Sequence, residues 1–100
     1  MEKKTKISLL AIQIGSEIAN VEANISKVEH LLEENLSYKR ADFVFLPEVW
    51  TSGWDCVSFP HCAEEIGDAK SVNMLKRIAK KYQVNIIGGS IIEIKYDGCL

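Results

Sequence analysis

The four consecutive apolar residues Phe43, Val44, Phe45 and Leu46, closed by Pro47, constrain this chain more than any other stretch of it. A strand that is apolar at every position has to be covered on both faces. Pro47 removes the next backbone donor and ends the ladder. Segments of helical period lie on either side. Ile18, Val21, Ile25, Val28 and Leu32 recur every three or four residues, which marks one face of an α-helix. Ser16 is placed to cap it, and Glu22, Lys27, Glu29, Glu33 and Glu34 fall on its outer side. Asp68 is placed to cap a second helix with Val72, Leu75, Ala79 and Tyr82 as its inner face. Ile7 to Ile14, Val84 to Ile87 and Ser90 to Ile94 read as further strands, with Gly88-Gly89 as a bulge or a close approach between the last two. The order β-α-β-loop-α-β-β defines an α/β chain.

Composition agrees with a packed chain. With 47% hydrophobic and 26% charged residues and a net charge of −2, it is neither disordered nor drawn to phosphate backbones, so nucleic acid is not an expected partner. No apolar run exceeds four residues, against the roughly 20 that a spanning helix needs. No membrane association is expected. The basic start, Met1 to Lys6, reads as a charged tail (residues 1–5) before a first strand, because Ser8 and Gln13 interrupt the apolar stretch and no cleavage site follows it. Cys56, Cys62 and Cys99 are odd in number and lack CxxC spacing, so neither a disulfide framework nor a zinc ribbon is indicated. A reducing cytoplasm is the expected compartment.

Charge is unevenly distributed. Residues 41–68 hold six acidic groups and no basic ones, and a loop rich in aromatic and turn residues runs from Trp50 to about Gly67. Chemistry is therefore sought here. Glu48 follows the buried strand by two residues, at the carboxyl edge of a sheet where open α/β folds place their ligand crevices. Desolvation by the neighbouring aromatics would raise its pKa towards general-base duty. The alternative is a surface carboxylate after a strand.

In Ala11-Ile12-Gln13, Asn20, Ala41-Asp-Phe-Val-Phe-Leu-Pro-Glu48, Thr51-Ser-Gly-Trp54, Gly88-Gly-Ser-Ile91 and Asp97-Gly98, over residues 6–100, the chain resembles the N-terminal part of the nitrilase superfamily, the carbon-nitrogen hydrolases. The Leu-Pro-Glu element with its aromatic and glycine sequel is the specific part. The resemblance implies the first half of an α-β-β-α sandwich, in the order β-α-β-α-β-β. It also implies a Glu–Lys–Cys triad that hydrolyses the C–N bond of a small-molecule amide or nitrile through a covalent thioester-type intermediate, with no cofactor. Glu48 matches the family's glutamate, and Trp54 a position that often lines the substrate pocket; the alternative for Trp54 is an aromatic packed over the loop. The lysine and the nucleophilic cysteine are expected beyond this chain, which alone should be inactive. The complete domain should form a homo-oligomer.

Other constellations are weaker. Trp54-Asp-Cys-Val-Ser-Phe-Pro-His61 imitates some letters of the nucleophile's setting, but Cys56 reads as a loop cysteine; Cys99 lies beside a turn, and Lys95 reads as a solvated strand residue. Cys56, His61 and Cys62 offer three potential metal ligands, but adjacent His61 and Cys62 diverge and no fourth is evident, so no metal is expected. Lys76, Arg77, Lys80 and Lys81 read as a solvated helix face.

Two features lead to the expectation of a partial domain. Asp97-Gly98 is a hairpin signal with two residues after it. Successive crossovers in one direction would place both helices on one face of the sheet and leave the central strand's other face bare; a reversal of strand order would place them on opposite faces. The competing reading is a complete, non-catalytic α/β module that binds a partner through that sheet face.

Overall fold

A computed structural model describes residues 6–94. Its strands are β1 (Leu9–Ala11), β2 (Phe43–Phe45) and β3 (Asn85–Ile87), and its helices are α1 (Val21–Leu36), the short α2 (Phe59–Cys62) and α3 (Lys70–Tyr82). A 3-10 turn, Ile66–Asp68, precedes α3. The charged tail, Lys95, the Asp97-Gly98 turn and Cys99 lie outside the described residues.

The three strands are parallel and ordered β1-β2-β3, so the chain crosses twice in one direction without a reversal. Strand alternation then decides what each face carries. Leu10, Val44 and Ile86 are in register and point into the core with Ile12, Leu46 and Val84. Val28 and Leu32 of α1 and Met74 and Ile78 of α3 meet them there, so both helices cover the same face. The other face carries Leu9 and Phe43 in one row and Ala11, Phe45 and Ile87 in the next. Phe43 and Phe45 stack with ring centroids 6.5 Å apart. Leu9 is 62% exposed and Ile87 49% exposed, so the described residues leave this apolar face uncovered.

Several local expectations are corrected. Helix α1 begins at Val21, and its cap is Asn20, whose side chain accepts the Ala23 N–H, not Ser16. Ala19 takes a left-handed conformation (φ 59°) and turns the chain before the helix, which leaves Ile18 outside it and 53% exposed. Asp68 does not cap α3 either. The Glu64 carboxylate does so from the preceding loop, accepting both the Ser71 N–H at 3.2 Å and the Ser71 hydroxyl at 2.6 Å. With Ser71 thus satisfied and buried, the inner face of α3 is Ser71, Met74 and Ile78, while Leu75 and Tyr82 pack at its margin.

The expected outer faces also meet each other. Arg77 pairs with Glu29, Lys81 with Glu33 at 3.0 Å, and the Tyr82 hydroxyl donates to Glu33, so half of the basic stripe forms the seam between α1 and α3. Lys70 pairs with Glu22 at 2.7 Å. Such exposed pairs contribute little individually. Residues 90–94 form no strand in the main sheet. Instead Glu93 makes an isolated parallel bridge to Glu64, with the Glu64 N–H donating to Ile92 at 2.8 Å and the Ile94 N–H to Glu64 at 2.9 Å.

Candidate active site

The carboxyl edge of β2 carries Leu46-Pro47-Glu48 out of the sheet, and five interactions fix the turn that follows. The Val49 N–H donates to the Ser90 hydroxyl at 2.9 Å. Trp50 turns inward, 1% exposed, and its indole N–H donates to the Gly88 carbonyl at 2.8 Å. From the β1–α1 loop, the Ser16 hydroxyl donates to the Trp50 carbonyl at 2.6 Å, and the Ala19 N–H to the Ser52 carbonyl at 3.0 Å. The Asn24 amide donates to the Thr51 carbonyl at 2.8 Å while also exchanging two bonds with the backbone of Glu17.

Val49 is the unusual member of the turn. Its φ of 43° is left-handed, which a β-branched residue rarely adopts. Its carbonyl accepts from the Gly53 N–H at 2.8 Å and from the Ser52 N–H at 3.2 Å. Strain of this kind persists only where the surroundings over-determine it.

The result is an open cleft of about 350 Å³ between the two loops, lined by Ile14, Ser16 and Ile18 on one side and by Pro47, Glu48, Val49, Gly53 and Trp54 on the other. Glu48 and Trp54 line the same cleft. Among the described residues Glu48 is its one ionisable side chain. The expectation that aromatics would bury Glu48 is corrected: its side chain is exposed, Trp50 points into the core, and Trp54 is 70% exposed at the rim.

The remaining described candidates do not join this cleft. Cys56 is exposed and Cys62 buried, His61 is exposed, and none of the three lines the cleft. Among the described residues no cluster of three or more His, Cys, Asp or Glu has the geometry to hold a metal ion. No described helix is long and apolar enough to cross a membrane.

Sequence reasoning overlooked the residues that hold the cleft in shape. Asn24 interrupts the apolar stripe of α1, four residues before Val28, and a polar side chain at such a position is itself a signal of a buried hydrogen-bonding role. Ser90 read as the start of a strand, and nothing local separates that from a side chain facing a loop 41 residues away.

Comparison with known proteins agrees with this architecture. The family model for carbon-nitrogen hydrolases matches residues 9–99, and the chain belongs to that family. It is 42% identical over 94 residues to the chloroplastic omega-amidase of Arabidopsis thaliana, covering 90% of this chain and 24% of that protein. It is 34% identical over 86 residues to the 2-oxoglutaramate amidase of Bacillus subtilis, covering 86% of this chain and 32% of that protein. The crystal structure of Saccharomyces cerevisiae Nit3, a member of branch 10 of the nitrilase superfamily, superposes with a TM-score of 0.78 at 23% identity, over 91% of this chain and 35% of that one. That likeness shows the fold. The chain spans between 24% and 32% of the length of these two curated relatives.

Proposed function

We propose that residues 6–100 are the N-terminal part of a carbon-nitrogen hydrolase domain that cleaves the C–N bond of a small-molecule amide, with Glu48 as the general base. The observation that carries this reading is the position of Glu48. It stands at the carboxyl edge of the central strand, is the one ionisable group among the described residues that line a cleft, and sits on a turn held by five hydrogen bonds.

In this reading the Glu48 carboxylate takes the proton of a cysteine thiol supplied from outside residues 1–100. The thiolate adds to the amide carbonyl, a lysine from the same outside segment stabilises the oxyanion, and the protonated Glu48 returns its proton to the nitrogen, which leaves as ammonia or an amine while the C–N bond breaks. Water then hydrolyses the thioester. Trp54 and Ile18 offer apolar surface to the part of the substrate that does not react. An amide is favoured over a nitrile because the Arabidopsis and Bacillus relatives are both named as amidases. Their names also make an ω-amide, 2-oxoglutaramate among them, the first substrate to try. The bare face of Leu9, Phe43, Phe45 and Ile87 packs against the second sheet of the sandwich in the complete domain, which self-associates.

The test is a Glu48→Gln substitution in the polypeptide translated from the complete reading frame, assayed for release of ammonia from ω-amides. Loss of a general base lowers kcat by about 10²–10⁴-fold, and the folded variant should retain substrate binding. Purified residues 1–100 should show no turnover. A Glu48→Gln enzyme with activity close to that of the parent would overturn the assignment.

A further inference from the structure

We propose that Ser90 is a positioning residue for Glu48, a role that rests on the general-base reading above. The two residues that follow the Gly88 carbonyl grip the chain on both sides of Glu48. On one side, a Cβ at Gly89 would overlap the Pro47 carbonyl oxygen and come within 2.8 Å of its carbon, so the backbone at Gly89 lies directly against the residue before Glu48. On the other side, the Ser90 hydroxyl accepts the Val49 N–H at 2.9 Å, on the residue after Glu48.

The peptide unit held by Ser90 joins Glu48 to Val49. Its orientation sets the backbone of Glu48 on its carboxyl side, and hence the direction in which the carboxylate leaves the chain. Val49 has a local reason to depart from that orientation, because its φ of 43° is unfavourable for a β-branched side chain. Without the hydroxyl, the Val49 N–H loses its acceptor and the left-handed turn loses one of its ties. Glu48 is exposed in an open cleft, and no described side chain bonds its carboxylate. Among the described residues its aim therefore depends on the backbone beneath it. A carboxylate displaced by about 1 Å costs on the order of a hundredfold in rate where proton transfer needs hydrogen-bond contact.

The experiment compares three substitutions in the complete hydrolase, with Glu48→Gln as the reference. Ser90→Ala removes the hydroxyl. Ser90→Cys preserves the size of the side chain but replaces a good acceptor with a weak one. Ser90→Thr keeps the acceptor and adds a methyl group at a half-buried position. We expect Ser90→Ala and Ser90→Cys to lower kcat by about ten- to a hundredfold with KM within about threefold, and Ser90→Thr to stay within about threefold of the parent. A space-filling role gives the opposite order, with Ser90→Cys active and Ser90→Thr impaired. If Ser90→Ala fails to fold, the Cys and Thr variants decide the matter. Any pattern other than loss in Ser90→Cys with retention in Ser90→Thr overturns the proposal. If Glu48→Gln is itself active, it is the general-base reading that fails; if Glu48→Gln is inactive while Ser90→Cys is normal, only the role of Ser90 falls.

Discussion

Asn24 donates a 2.8 Å hydrogen bond to the carbonyl oxygen of Thr51, and both residues are completely buried. The same amide accepts the Glu17 N–H and donates to the Glu17 carbonyl, each at 2.8 Å, so one side chain joins the two loops that wall the cleft. Asn24→Ala leaves three backbone groups unpaired and should reduce unfolding stability by about 2–4 kcal/mol. Asn24→Asp should be no better, since it sets a buried carboxylate against two carbonyl oxygens. Urea denaturation of the variants checks this, and a loss under about 1 kcal/mol would mean that water replaces the amide freely.

Neighbouring glycines should respond very differently to alanine. Gly89 has φ 66°, and an added Cβ there meets backbone at Pro47 and Leu46, which cannot withdraw without moving the Glu48 turn. Gly89→Ala should cost on the order of 3 kcal/mol or more. At Gly88 the nearest atom is Leu75 Cδ1, at 3.0 Å, the far end of a flexible side chain. Gly88→Ala should cost less than about 1 kcal/mol. Equal thermal unfolding midpoints for the two variants would contradict the close approach.

Trp50 separates packing from hydrogen bonding. Trp50→Phe keeps an aromatic ring in the core but strands the Gly88 carbonyl, for an expected loss of about 1–2 kcal/mol. Trp50→Ala adds a cavity and should lose about 3–5 kcal/mol. Near-UV circular dichroism followed through denaturation distinguishes the two. Indistinguishable curves would show that the indole N–H bond, and not the ring, is what matters.

The seam between α1 and α3 should make stability depend on pH at both ends. The hydrogen bond from the Tyr82 hydroxyl, and next that from Lys81, hold the Glu33 carboxyl below its ordinary value of 4.5. A lowered carboxylate pKa gives stability that is complete above the unfolded value and is lost as pH falls through the folded one. The Glu33 bond holds the Tyr82 hydroxyl and the Lys81 ammonium above their ordinary values, 10.0 and 10.5, so their contributions are complete below those values and are lost as pH rises through the raised ones. The difference in urea midpoint between the parent and Glu33→Gln should thus stay level near neutrality and shrink as the pH falls below the ordinary carboxyl value of 4.5. It should also narrow in high salt, because the seam is solvent-exposed. A difference unchanged over the whole acid range would show that Glu33 contributes through packing alone.

The site was legible in the sequence where its residues are sequential. Leu46-Pro47-Glu48 reads directly as a strand end carrying a carboxylate, and Trp54 six residues later still faces the same cleft. The cap of α3 was not legible, because Glu64 does the capping from beyond a 3-10 turn while the locally suitable Asp68 is used up within that turn. The N-terminus of α1 was misplaced for a related reason. Ser16 is a good capping residue by type, but its hydroxyl bonds the Trp50 carbonyl 34 residues away.

By itself, the sequence determined the α/β class, the central strand, the approximate helices and the carboxylate at the strand's edge. All of these depend on periodicity and on local backbone chemistry. Only the tertiary structure decided that both helices share one face of the sheet, that the acidic side of α1 meets the basic side of α3, and that Glu48 stands exposed. It alone revealed Ser16, Asn24, Trp50 and Ser90 as the residues that fix the turn. Their hydrogen bonds join groups between 27 and 41 residues apart. A polar side chain can satisfy any backbone group within reach, and which group that is depends on how the strands and helices pack.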